Sequence, residues 1–113
     1  MHVNRVLIAG CALVLCAAGD GFAAGAGDAA AGRQKALMCQ TCHGLDGKAK
    51  IPEAPNLAGQ SESYLVKALK DYRSGARKND MMSLVAPTLK DKDIDDLAAY
   101  YAAIEGTVGP PPK

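Results

Sequence analysis

The sequence predicts an all-α domain of about three to five helices, arranged round something other than its own side chains. Apolar residues recur at helical spacing in two long segments, and no stretch alternates apolar and polar residues as a half-buried strand would. Beyond residue 24 the chain has neither Trp nor Phe; its aromatics are Tyr64, Tyr72, Tyr100 and Tyr101, set among many alanines. A domain of about 90 residues is already marginal in the surface it can bury. The third observation is the run Cys39-Gln40-Thr41-Cys42-His43, with chemistry of its own.

Residues 1–24 are read as a secretory leader. Arg5 supplies a positive charge, and residues 6–18 form an apolar stretch too short for a permanent span, which needs roughly 20 residues. Small residues place cleavage between 23 and 26. The alternative, Ile8-Ala9-Gly10-Cys11 as a lipoprotein site, is disfavoured by the short apolar region before Cys11; Cys16 fits that pattern worse. The domain is then residues 25–107, and residues 108–113, with Pro110, Pro111 and Pro112, form a flexible tail. Removing the leader also removes His2, so His43 is the one histidine left to the domain.

Residues 28–38 are Ala-rich with Asp28 as N-cap, and lead directly into Cys39. Residues 44–60, with Pro52, Pro55 and Gly59, read as an ordered loop. A second helix is expected over 61–74, capped by Ser61 and stopped by Gly75, with Tyr64, Leu65, Ala68, Leu69 and Tyr72 on one face. Residues 77–88 are expected to be a connection that carries Met81 and Met82 and closes at Pro87. The last helix is expected over 91–105, burying Ile94, Leu97, Ala98, Tyr101 and Ile104, with Gly106 as stop. Asp91, Asp93, Asp95 and Asp96 crowd its first turns, where negative charge is favoured by the helix dipole.

Cys-x-x-Cys-His is the attachment signature of c-type haem. Two thiols add across neighbouring vinyl groups of one macrocycle, and two intervening residues supply that reach. The histidine that follows is thereby held beneath the iron. Zinc would need a fourth ligand that Cys39, Cys42 and His43 do not supply. A thioredoxin-like redox pair would need a βαβ setting, and a plain disulfide would leave His43 and the aromatic-poor core unexplained. The domain is therefore expected to carry one covalent haem c on Cys39 and Cys42, with His43 on the iron. With no second histidine, a methionine is expected as sixth ligand. Met38 adjoins Cys39 on the attachment side, which leaves Met81 and Met82.

Four segments carry a family resemblance: Cys39-Gln40-Thr41-Cys42-His43-Gly44, Pro55-Asn56-Leu57-Ala58-Gly59-Gln60, Tyr72-Arg73-Ser74-Gly75-Ala76-Arg77, and Asp93-Ile94-Asp95-Asp96-Leu97-Ala98-Ala99-Tyr100-Tyr101. On these the domain resembles a class I bacterial cytochrome c, and is similar to one half of the dihaem periplasmic cytochromes c. The resemblance implies a class I cytochrome c fold, with first and last helices crossing at Gly32 near Tyr101. It favours Met82 as the sixth ligand, since similar domains place it at this spacing before the residue matched by Leu89, and leaves Met81 to adaptable packing. It also implies that the Pro55 carbonyl orients His43 and that Leu57 packs on the haem. Arg77 is either a partner of a haem propionate or a solvated side chain.

Both axial positions filled by protein leave no open coordination site, which points to outer-sphere electron transfer rather than catalysis. The expected protein is a periplasmic monomer that accepts electrons from a dehydrogenase or quinol-oxidising complex and passes them to an oxidase or reductase. A dedicated cytochrome subunit of a dehydrogenase complex is the alternative, and a haem-based ligand sensor a third reading that the Met81-Met82 pair disfavours. The formal net charge of +1 points to no nucleic-acid or lipid partner. It conceals an uneven distribution, with Arg33, Lys35, Lys48 and Lys50 flanking the motif and the aspartates of the last helix opposing them, which is read either as a basic face steering an acidic partner or as surface charge that serves solubility alone. Because the porphyrin would complete the apolar core, a Cys39→Ala/Cys42→Ala variant should show little helix by far-ultraviolet circular dichroism.

Overall fold

Asp28 opens the first element as expected: its Oδ1 accepts from the N–H groups of Ala30 (2.9 Å) and Ala31 (3.3 Å) and caps helix α1, Ala29–Lys35. The computed structural model describes residues 27–106; the leader, its cleavage site, the lipoprotein alternative at Cys11 and the Pro-rich tail lie outside them. After α1 the chain tightens into a 3-10 turn, Ala36–Met38, and then a second short helix, α2, Gln40–His43. The segment 28–38 that reads as one helix is therefore two pieces, and Leu37 and Met38 are exposed in the second.

Helix α3, Glu62–Ser74, has the predicted caps: Ser61 Oγ accepts from Tyr64 N–H at 3.3 Å, and Gly75 takes a left-handed φ of 83°. Its buried face differs from expectation. Leu65 is buried and Val66 and Leu69 pack beside it, while Tyr64 is exposed and its hydroxyl accepts from Arg77 at 3.4 Å. The connection of residues 77–88 is also not plain loop. It forms helix α4, Met82–Val85, followed by a 3-10 turn, Ala86–Thr88.

Helix α5, Asp91–Ala103, starts at the predicted residue, with Asp93 Oδ2 accepting from Lys90 N–H at 2.9 Å. It ends two residues early. The Tyr101 carbonyl accepts from Gly59 N–H at 3.1 Å as well as from Ile104 N–H, and Ile104 is already extended. Gly106 does not stop the helix; it lies against Ala58 and Gly59, where a Cβ would meet the Ala58 carbonyl oxygen at 2.7 Å.

The core is small: Ala36, Leu65, Leu89, Ile94, Leu97, Ala98 and Tyr101, with Leu45, Leu57, Tyr100 and Ile104 packed partly against it. α5 is the shared element, contacting both α1 and α3, while α4 packs on α3. The α1/α5 crossing is close enough that a Cβ on Gly32 would sit 1.9 Å from the Asp96 carbonyl oxygen. Asp96 is only 1 % exposed, and one carboxylate serves three donors: Asp28 N–H (2.8 Å), Lys35 Nζ (2.7 Å) and Lys92 Nζ (2.5 Å). Its role therefore exceeds that of a favourable charge at a helix start. Arg73 ties the other branch to α5, through the Leu89 carbonyl at 3.2 Å and Asp91 at 2.6 Å.

Gly32→Ala should destabilise the protein by about 3 kcal/mol or more in thermal or denaturant unfolding, because the clash is with backbone and cannot be relieved by a rotamer change. The Asp28 N–H, then Lys35 and Lys92, hold the Asp96 carboxyl well below the usual carboxylate range. Its stabilisation is therefore complete above that range and is lost as pH falls through the range towards the lower folded value. Asp96→Asn should lower Tm at pH 7 and flatten the decline of Tm on acidification.

Candidate functional site

The Cys-x-x-Cys-His turn is built by the break in the first helical segment. Cys39 N–H donates to the Ala36 carbonyl (2.9 Å), and the Cys39 carbonyl accepts from His43 N–H (2.9 Å), so Cys39, Cys42 and His43 share one helical turn. Gly44 ends it at φ 73°, in a spot where a Cβ would meet Asp46 Oδ1 at 2.3 Å. Both cysteines are half-buried. Burial, with a smaller contribution from Cys42, pushes the Cys39 thiol up to about 11. A thiol held protonated at neutral pH is unlike the low-pKa thiolate of a disulfide oxidoreductase.

His43 is buried, and its Nδ1 donates to the Pro55 carbonyl at 2.9 Å. That bond fixes the tautomer and leaves Nε2 with a free lone pair, as a metal-binding imidazole requires. The loop delivering Pro55 is tied to the motif at several points. Lys50 N–H donates to the Cys42 carbonyl (2.8 Å), Leu57 N–H to the Gly47 carbonyl (2.8 Å), and Ala49 N–H to Asn56 Oδ1 (2.8 Å). Leu57 is half-buried against the core.

Helix α5 closes the arrangement. Tyr100 Oη donates to the Leu45 carbonyl at 2.6 Å and Tyr101 Oη to the Gly44 carbonyl at 3.2 Å. Burial raises the Tyr101 phenol well above its ordinary value, so it remains a donor. These two hydroxyls, Asn56 and its turn are site supports that the sequence reading missed. One signal was available: adjacent tyrosines cannot share one helical face, so the outward one needs a polar partner.

Met82 lies on the other branch, at the first turn of α4, and is half-buried; Met81 is 58 % exposed and Leu84 72 %. Met81 is thus not the packing residue expected of it, because the tight α4 turn directs it outward. Arg77 stacks over the Tyr72 ring, 4.8 Å from its centroid. The expected basic segment is partly paired internally. Lys35 bonds Asp93 and Asp96 across the helix crossing, Lys50, itself exposed, bonds Asp46, and Arg33 and Lys48 are exposed. No helix among the described residues is long and apolar enough to cross a membrane.

The cytochrome c family profile matches residues 29–104, from α1 to the residue after α5. Cytochrome c4 of Pseudomonas aeruginosa is 42 % identical over 107 residues, covering 95 % of this chain and 52 % of that protein. Cytochrome c-554(548) of Halomonas halodenitrificans is 49 % identical over 83 residues, covering 71 % of this chain and all of that one. Among solved structures, reduced recombinant cytochrome c4 from Pseudomonas stutzeri superposes with a TM-score of 0.68 at 42 % identity, covering 74 % of this chain and 49 % of its own. The chain belongs to the cytochrome c family, with the class I cytochrome c fold and covalently bound haem c that membership entails. It spans about half the length of the cytochrome c4 relatives it matches.

Proposed function

We propose that the protein is a monohaem electron carrier of the periplasm, with thioethers from Cys39 and Cys42, His43 as proximal ligand and Met82 as sixth ligand. The observation that carries this reading is the His43 Nδ1 bond to the Pro55 carbonyl at 2.9 Å, on the turn that also bears both thiols. It leaves Nε2 as the ring atom able to bind a metal, beside the two cysteines suited to thioether formation. The donor set fits haem c: two thiols, one imidazole of fixed tautomer, and a half-buried methionine on a separate branch.

Bound there, haem c supplies a one-electron iron couple, which His/Met ligation sets at a high potential. Pro55 holds the His43 ring in place, and the Tyr100 and Tyr101 hydroxyls hold the backbone that follows it. Leu57 contributes apolar packing to that face. A pair of protein ligands leaves no coordination site for substrate, so the protein exchanges electrons by docking with other redox proteins rather than by catalysing a reaction of its own. The partners that suit this role are a donor dehydrogenase or quinol-oxidising complex and an acceptor oxidase or reductase, met by a monomer with Arg33, Lys48 and Lys50 exposed. The leader-like residues 1–24 support secretion to the periplasm.

Haem staining retained after denaturing electrophoresis, with a reduced-minus-oxidised spectrum of a low-spin haem c, is the expected result for the purified protein; loss of stain on denaturation would exclude covalent attachment. Met82→Ala should abolish the sulfur-to-iron charge-transfer band and lower the midpoint potential, whereas Met81→Ala should leave both in place. Loss of the band in the Met81 variant alone would move the ligand by one residue.

A further inference from the structure

Helix α4 consists of four residues, Met82–Val85, far shorter than a helix that holds itself together in water. Its first N–H groups have no partner within the helix. One side chain takes the first of these and the N–H just before the helix: Asn79 Oδ1 accepts from Met82 N–H and from Met81 N–H, each at 3.0 Å. The cap is reciprocal. Asn79 N–H donates to Ser83 Oγ at 3.0 Å, and Ser83 N–H donates to the Asn79 carbonyl at 2.9 Å. The Met81 carbonyl then accepts from Leu84 and Val85 N–H, which completes the turn. On this turn Met82 is half-buried while Met81 and Leu84 are exposed to solvent.

We propose that Asn79, supported by Ser83, is the positioning residue for the Met82 sulfur. This rests on the reading of Met82 as the sixth ligand and adds what keeps that ligand in register. The opposing candidate ligand, His43, sits in a turn fixed by the Pro55 carbonyl, the Lys50 N–H and the two tyrosine hydroxyls. On the Met82 side the carbonyls of residues 81 and 82 are held by N–H groups of Leu84, Val85 and Ala86 within the same turn, and the Asn79 cap fixes the N–H side of both residues. Releasing it lets the turn unwind and swing the thioether away without unfolding α1, α3 or α5, because local openings follow local bonding.

The test uses the purified ferric holoprotein, with imidazole as the probe and the sulfur-to-iron band and Tm as readouts. Imidazole competes with the thioether, so its apparent affinity scales with the fraction of protein whose sixth position is open. Asn79→Ala should tighten imidazole binding about fivefold, the population change expected from losing an N-cap. Asn79→Asp, which keeps the acceptor oxygen, should restore the wild-type affinity. Ser83→Ala, a milder change that keeps the fold if Asn79→Ala does not, should tighten binding to a lesser degree. Unchanged imidazole affinity in Asn79→Ala and Ser83→Ala, even with a lowered Tm, would overturn the proposal and leave Asn79 a purely structural cap. Met82→Ala separates the two readings: a charge-transfer band that persists there defeats the ligand assignment, whereas its loss beside unaltered imidazole binding in the Asn79 variant defeats only the positioning role.

Discussion

The close approach of α1 to α5 is the contact on which the rest depends. Gly32 allows the two backbones to meet where any side chain would collide with the Asp96 carbonyl. From that crossing both ends of the motif are held. α1 runs through its 3-10 turn straight into Cys39, and the far end of α5 brings Tyr100 and Tyr101 to the carbonyls of Leu45 and Gly44. One helix of the crossing thus fixes where the motif begins and the other where it ends. A shift in the crossing would misplace both together.

The crossing also carries half of the ion pairs among the described residues. Asp96 is buried, yet its two oxygens are shared among a backbone N–H and two lysines, and Lys35 reaches Asp93 as well. A buried carboxylate contributes little net stability over an apolar residue of similar shape, but leaving it without partners is strongly unfavourable. Its value here is registry: the partners lie on the residue before α1, on α1 and on α5, so only one alignment of the helices satisfies all of them. Of the basic residues flanking the motif, Lys35 reaches the last helix, whereas Lys50 pairs with Asp46 of its own segment.

The two branches differ in how firmly they hold their candidate ligands. The loop from Gly44 to Gln60 has little regular structure, yet it is pinned to the motif, to itself and to the end of α5. The Met82 branch is a single helical turn leaning on α3. Stiffness on one face and a short, capped turn on the other give the protein one ligand fixed by tertiary bonds and one controlled locally.

Much of this was legible in the chain alone. Asp28, Ser61 and Gly75 mark helix ends because caps act within a turn, and local chemistry does not depend on what lies across the core. The helical period of α5 selected Ile94, Leu97, Ala98 and Tyr101, and Cys39-x-x-Cys42-His43 announced its own chemistry through spacing. What the sequence left undecided involves partners remote in the chain. Tyr101 gives up its carbonyl to Gly59 and so ends α5 early; Asp96 is buried by lysines and a backbone N–H rather than left at a solvated helix start; Tyr64 turns outward to Arg77. Periodicity reports which side of an element is apolar, but not which polar atom will come to meet it. Only the tertiary structure, by bringing residues 28, 35 and 92 to one carboxylate and 44 and 45 to two hydroxyls, decided how the motif is held in place.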